Sequence, residues 1–218
     1  MIILPTKGRP DNLRRFVYHY YLTKSTLPIC VIFDAKDAHR YNHIETPSHW
    51  KRVSAPSGST LGDIFTLIFK KYPNEPYYGM VADDVVPETS GWDTIMAELC
   101  QPDKIVWGCD DLRNETLPVH PFIGGDLLRK IGWWSSPGLN HWFVDNVWKH
   151  LADSLECGLY LPQVKMTHLH PANGRAPTDR TYQEQPSHIA DQVTYQRFMV
   201  EEFPKLIERV KGLGMSAA

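Results

Sequence analysis

Three apolar runs in this chain each close on aspartate, and that repetition leaves few folds open. Ile29-Cys30-Val31-Ile32-Phe33 ends at Asp34, Tyr77-Tyr78-Gly79-Met80-Val81-Ala82 at Asp83-Asp84, and the run 104–108 at Asp110-Asp111. Continuous apolar runs of this length, without polar alternation, belong to strands covered on both faces. Helical spacing fills the gaps: Leu13, Phe16, Val17, Tyr20 and Tyr21 behind a cap at Asp11 or Asn12, then Leu61, Ile64, Phe65 and Ile68 behind 57–60, then 89–99. Residues 2–5 read as a further buried strand, whereas the His-rich stretch 39–49 has no clear period. Strands alternating with helices in this way predict an α/β fold, a mostly parallel open sheet flanked by helices and Rossmann-like.

The second half is looser. A short helix is expected over 127–133, a longer one over 144–155, and a last strand over 159–170. A Pro-, Gly- and Arg-bearing loop follows over 171–186, then an amphipathic helix over 190–211 that Pro204 should kink or split. The 218 residues make one domain, and 42% hydrophobic content suffices for a full core. A formal charge of −2 gives no bulk electrostatic case for nucleic acid. The four cysteines have no metal-type spacing, and Cys30 and Cys109 read as reduced core thiols. No segment approaches the roughly 20 apolar residues of a membrane span, and the chain enters a strand directly after Met1. A cytoplasmic protein is expected.

In a parallel sheet the aspartates that end strands collect along one edge, where open α/β sheets bind ligands. Unpaired like charges a few ångströms apart repel by about 4 kcal/mol at intermediate dielectric. Such a cluster calls for a cation, and Mg²⁺ or Mn²⁺ bridged to phosphate oxygens suits the hard ligands. The alternative is that Asp34 and Asp110 cap turns and helices. His168 and His170, alternating on one strand, present two imidazoles to one face, either to complete a metal site or to hydrogen-bond at the strand end. No HExxH spacing points to a zinc hydrolase. Asp145, within an aromatic segment at a helix start, suits a general base toward an acceptor hydroxyl; capping, or an i,i+4 pair with Lys149, is the plainer role. Gly124-Gly125 permits close approach to the backbone, and Asp126 can cap the next helix or accept from a sugar hydroxyl. Arg175 and Arg180, with Lys165, place positive charge in or beside the late loop, where a lid could close on a diphosphate.

In this order the segments Leu4-Pro5-Thr6-Lys7-Gly8-Arg9-Pro10, Phe33-Asp34, 81–87, 124–126, Asp145 and His168-Leu169-His170 resemble the small metal-dependent glycosyltransferases of the GT-A fold. The likeness spans most of residues 1–170. It implies a nucleotide-sugar donor, UDP- or GDP-linked, held through Pro5, Thr6, Arg9 and Asp34. Asp83 and Asp84 would stand for the family's DxD motif, with Asp84 as metal ligand and Asp83 nearer the ribose or metal. Here Ala82 takes the usual first Asp, so the roles of the two acids are shared differently or shifted by one. Gly124 to Asp126 would meet the donor sugar, and Asp145 matches the base of inverting members. On this likeness residues 1–112 form a nucleotide-binding half, 113–189 an acceptor- and metal-completing half, and 190–218 a C-terminal helix. The run 174–182 is similar to compact phage and bacterial members, some of which glycosylate hydroxymethylated DNA bases, so DNA stands beside a saccharide as acceptor. A nucleotidyltransferase using NTP and Mg²⁺, or a non-catalytic sugar- or nucleotide-binding module, would share the layout.

Overall fold

The computed structural model describes residues 1–214; residues 215–218 of the expected C-terminal section lie outside it. Eight strands form one curved sheet in the order β3-β2-β1-β4-β7-β6-β8-β5. β1 (Ile2–Thr6), β2 (Ile29–Asp34), β3 (Lys51–Ala55) and β4 (Tyr77–Met80) run parallel to their neighbours. β6 (Ile105–Cys109) and β8 (Gly158–His168) also pair in parallel. Two short strands break the pattern: β7 (Phe122–Gly124) runs antiparallel between β4 and β6, and β5 (Val85–Pro87) antiparallel to β8.

Strand alternation divides the core between the two faces. Ile3, Cys30, Ile32, Tyr78 and Met80 pack with α2 (Leu61–Lys71), α4 (Gly125–Ile131), α5 (Val144–Ser154) and α8 (Phe203–Gly212). Ile2, Leu4, Ile29, Val31 and Phe33 pack with α1 (Pro10–Leu22) and α3 (Trp92–Leu99). Burial on both faces is why those strands carry unbroken apolar runs. The expected final helix is split into α7 (His188–Glu201) and α8, with Pro204 in the first turn of the second, where a missing N–H costs nothing. The stretch 171–186 is not all loop: it holds the single turn α6 (Arg180–Gln183). Cys30 is buried as expected, whereas Cys109 is only partly so, and all four thiols are free. Among the described residues no helix is long and apolar enough to cross a membrane.

Candidate active site

The carboxyl ends of β1, β2 and β4 point the same way, and Thr6, Asp34 and Asp83-Asp84 therefore meet at one edge. β7 reverses direction, β6 reverses it back and β8 runs parallel to β6, so Asp110 after β6 and His168 at the end of β8 reach the same edge. A cavity of about 330 Å³ opens there, lined by Pro5, Thr6, Arg9, Asp34, Asp83, Asp84, Asp145, His168 and His170 among others.

The adjacent carboxylates are already compensated by the chain. Arg9 Nη1 lies 3.2 Å from Asp83 Oδ1 and 3.2 Å from Asp84 Oδ2. Its Nε and Nη2 donate to the two oxygens of Asp179 at 2.7 and 2.8 Å, and its guanidinium stacks on the Tyr182 ring at 4.4 Å. Thr6 donates to Asp83 at 2.7 Å, and the Tyr182 hydroxyl to Asp84 Oδ2 at 2.5 Å. His168 sits between two acids, its Nε2 3.3 Å from Asp84 Oδ1 and its Nδ1 3.8 Å from Asp110 Oδ2. Both contacts are too long or too misaligned for hydrogen bonds, which leaves Asp84 Oδ1, Asp110 Oδ2 and His168 Nδ1 buried without partners.

Charge sets the proton affinities. Burial alone would push both acids of the pair up; proximity to Asp84 adds to this at Asp83, whose pKa is raised, whereas His168, Tyr182 and Arg9 together hold Asp84 below the usual range. Burial disfavours the His168 imidazolium, yet Asp110 and Asp84 outweigh it and raise His168 to about 9. His120, which the sequence reading passed over, lies against His168 with ring centroids 4.9 Å apart. Burial first, and His168 next, lower it to about 3, and neither of its ring nitrogens has a partner. It too lines the cavity.

Asp145, on the first turn of α5, lines the same cavity. Its Oδ1 accepts only from the adjacent Asn146 N–H, at 2.9 Å, and burial raises its pKa to about 6. The pair with Lys149 does not form; Lys149 bonds Asp153 instead. Asp191 of α7, fully buried, fixes the approach to this turn by accepting from the N–H groups of Asn140, His141 and Trp142 at 2.8–3.1 Å.

The remaining expected residues are placed differently. Because β7 is antiparallel, its carboxyl end lies at the opposite edge, with Gly124 beside Tyr77 at the start of β4. Gly124, Gly125 and Asp126 are thus away from the cavity. The close approach that their missing Cβ atoms allow is to the chain's own Pro102 and Glu75 carbonyls, and Asp126 pairs with Arg129. Arg175 does not line the cavity but pairs with Asp111 at 3.1 Å, and Arg180 is exposed and pairs with Glu184. The turn-capping alternative for Asp34 and Asp110 is borne out in their hydrogen bonds. Asp34 accepts from Lys36 and Gly58 N–H, and Asp110 Oδ1 from three successive N–H groups of 112–114. Asp34 still lines the cavity. His170 accepts from the Ala172 N–H, the strand-end hydrogen bond, while its ring faces Tyr182 in the cavity.

This donor set suits a hard divalent cation in its chemistry. Asp83, Asp84, Asp110 and Asp179 outnumber Arg9 and His168, and two buried carboxylate oxygens lack hydrogen bonds. Among the described residues, however, no three His, Cys, Asp or Glu side chains converge as a ligand set while Arg9 stands between them.

No protein-family model matches the chain, and no curated protein matches it by sequence. Solved structures do. One, from Desulfovibrio desulfuricans G20 and assigned as a nucleotide-diphospho-sugar transferase, superposes with a TM-score of 0.52 at 12% identity, covering 96% of each chain. The fold is GT-A-like, a mixed α/β sheet of Rossmann type. S. aureus TarS matches with a TM-score of 0.55 at 10% identity over 93% of this chain and 44% of its own. At such identities the likeness concerns the fold, and the chemistry has to come from the residues at the edge.

Proposed function

We propose that this protein is a glycosyltransferase that moves a sugar from a nucleotide-diphosphate donor, UDP- or GDP-linked, to an acceptor hydroxyl. The observation that carries this reading is that one cavity is lined by both an acid pair and a separate aspartate of raised pKa. The Asp83-Asp84 pair lies at the carboxyl-end edge of the parallel strands, and Asp145, raised by burial, lines the same cavity. Asp145 takes the acceptor proton as the hydroxyl attacks the anomeric carbon, giving inversion. Thr6, Asp34 and Arg9 hold the nucleotide at the strand ends, and the cavity walls fix the two substrates against each other. Asp84 and His168, with His170 beside them, would hold Mn²⁺ or Mg²⁺. When bound, such a cation supplies positive charge to the diphosphate as it leaves. The excess of carboxylates around the cavity favours an uncharged, hydroxyl-bearing acceptor such as a saccharide over DNA.

The test is donor hydrolysis and donor-dependent stabilisation with a panel of nucleotide sugars and NTPs. A rise in melting temperature with UDP or GDP plus Mn²⁺, and slow metal-dependent donor hydrolysis lost in Asp84→Asn, is the expected result. Stabilisation by NTPs alone would point to nucleotidyl transfer, and binding without hydrolysis to a non-catalytic module.

A further inference from the structure

The segment 179–184 reaches across to Arg9 and Lys7 and lines part of the cavity. Asp179 presents both carboxylate oxygens to Nε and Nη2 of Arg9 at 2.7 and 2.8 Å, the parallel two-bond geometry in which a guanidinium grips a carboxylate or a phosphate. Tyr182, one turn on, lays its ring on the same guanidinium at 4.4 Å and gives its hydroxyl to Asp84. Thr181 Oγ1 donates to the Lys7 carbonyl at 2.9 Å, and Glu184 lies 3.5 Å from Lys7 Nζ. The Arg9 side chain, about 10% exposed, thereby has its three nitrogens bonded to the chain's own acids. In the same cavity, Asp84 Oδ1 and both nitrogens of His120 are buried without a hydrogen bond, so the site has polar groups that the strap does not satisfy.

We infer that Asp179 occupies, on Arg9, the seat of the diphosphate of a nucleoside diphosphate, and that the 179–184 strap is displaced from it when that ligand binds. The inference deepens the proposed glycosyl transfer, since it names the residue that recognises the donor's charged centre and its built-in competitor. In the exchange a diphosphate takes the fork that Asp179 leaves. Loss of the Tyr182 contact at the same time leaves Asp84 Oδ2 with Arg9 Nη1 alone. Ligand binding to the wild type therefore includes the cost of unlatching, which lowers the apparent affinity by the fraction of open molecules.

Asp179→Asn tests this, because Asn keeps the oxygen that caps α6 and removes the charge that competes. Binding of UDP, GDP and inorganic pyrophosphate is measured by calorimetry in EDTA. About tenfold tighter binding of pyrophosphate and of one nucleotide by the variant is expected, within the usual range of coupling between sites. The gain should vanish in the double variant Arg9→Gln/Asp179→Asn. Equal or weaker binding by Asp179→Asn, or a gain that survives loss of Arg9, overturns the inference. The two readings fail separately. A wild type that binds neither nucleotide even with Mn²⁺ present defeats the glycosyltransferase reading, while the pyrophosphate measurement still decides whether Asp179 holds an anion seat.

Discussion

At the scale of single residues, the site depends on acids in unlike surroundings, and Asp145 shows what that costs. Burial raises its pKa to about 6, so the folded chain keeps this proton to higher pH than the unfolded chain, where an ordinary aspartate has released it near 4. Stability is therefore lost as pH rises from about 4 to about 6, and at pH 7 the ionised carboxylate burdens the fold. Asp145→Asn should unfold at higher denaturant concentration at pH 7, by about 1–3 kcal/mol. Transfer activity should fall by about 10²–10⁴-fold in the same variant. In the wild type, kcat/KM should rise with pH through about 6. A less stable Asn variant would mean that Asp145 serves the helix start and not the reaction. Asp145 stands out in the sequence as an acid amid Trp142, Phe143 and Trp148, although capping or a pair with Lys149 would equally account for it there. Arg9 as partner of the pair does not, since 74 residues separate it from Asp83 and no local pattern encodes that contact. His120 gave a faint signal, a histidine directly before proline at the start of a short apolar run.

At the scale of elements, what could be read followed burial. β1 and β2 are interior parallel strands, and their unbroken apolar runs announce it. β3 lies at the sheet edge with three of its five residues exposed, and Lys51-Arg52-Val53-Ser54-Ala55 carries no such run. β7 is three residues long, too short for a period, yet its reversed direction decides which residues reach the site. It brings His120, just ahead of its start, to the cavity and carries Gly124-Gly125 to the far edge. The glycines are consequently packing residues. A Cβ on Gly125 would collide with the carbonyls of Glu75 and Pro76, neither of which can move without shifting the chain. Gly125→Ala should destabilise the protein by about 1–3 kcal/mol, as overpacked positions do. Donor KM in the folded fraction should stay within twofold of wild type. A large rise in donor KM at unchanged stability would restore these glycines to the sugar site.

For the molecule as a whole, the strand-end cluster links folding to pH, because its charges come from separate segments and exist as neighbours only in the folded state. His168 is the member whose effect is easiest to isolate. Burial would lower its pKa, but Asp110 and Asp84 on either side raise it to about 9, against about 6.5 in an unfolded chain. A raised histidine stabilises fully below its unfolded value, and the benefit drains away as pH rises through its folded value. In EDTA, the unfolding free energy of the wild type should therefore decline by about 3 kcal/mol more than that of His168→Gln between pH 6.5 and 9. Titrating groups remote from His168 contribute equally to both proteins and cancel in the difference. The opposite limb is set by Asp84 and Asp110, which the same imidazole helps to hold below the carboxylate range, so their contribution is lost only in strong acid. Parallel curves for the two proteins from pH 6.5 to 9 would show that His168 is neutral between its two acids. The charge count around the cavity would then fall by one cation, and the case for a divalent ion at Asp84 would grow stronger.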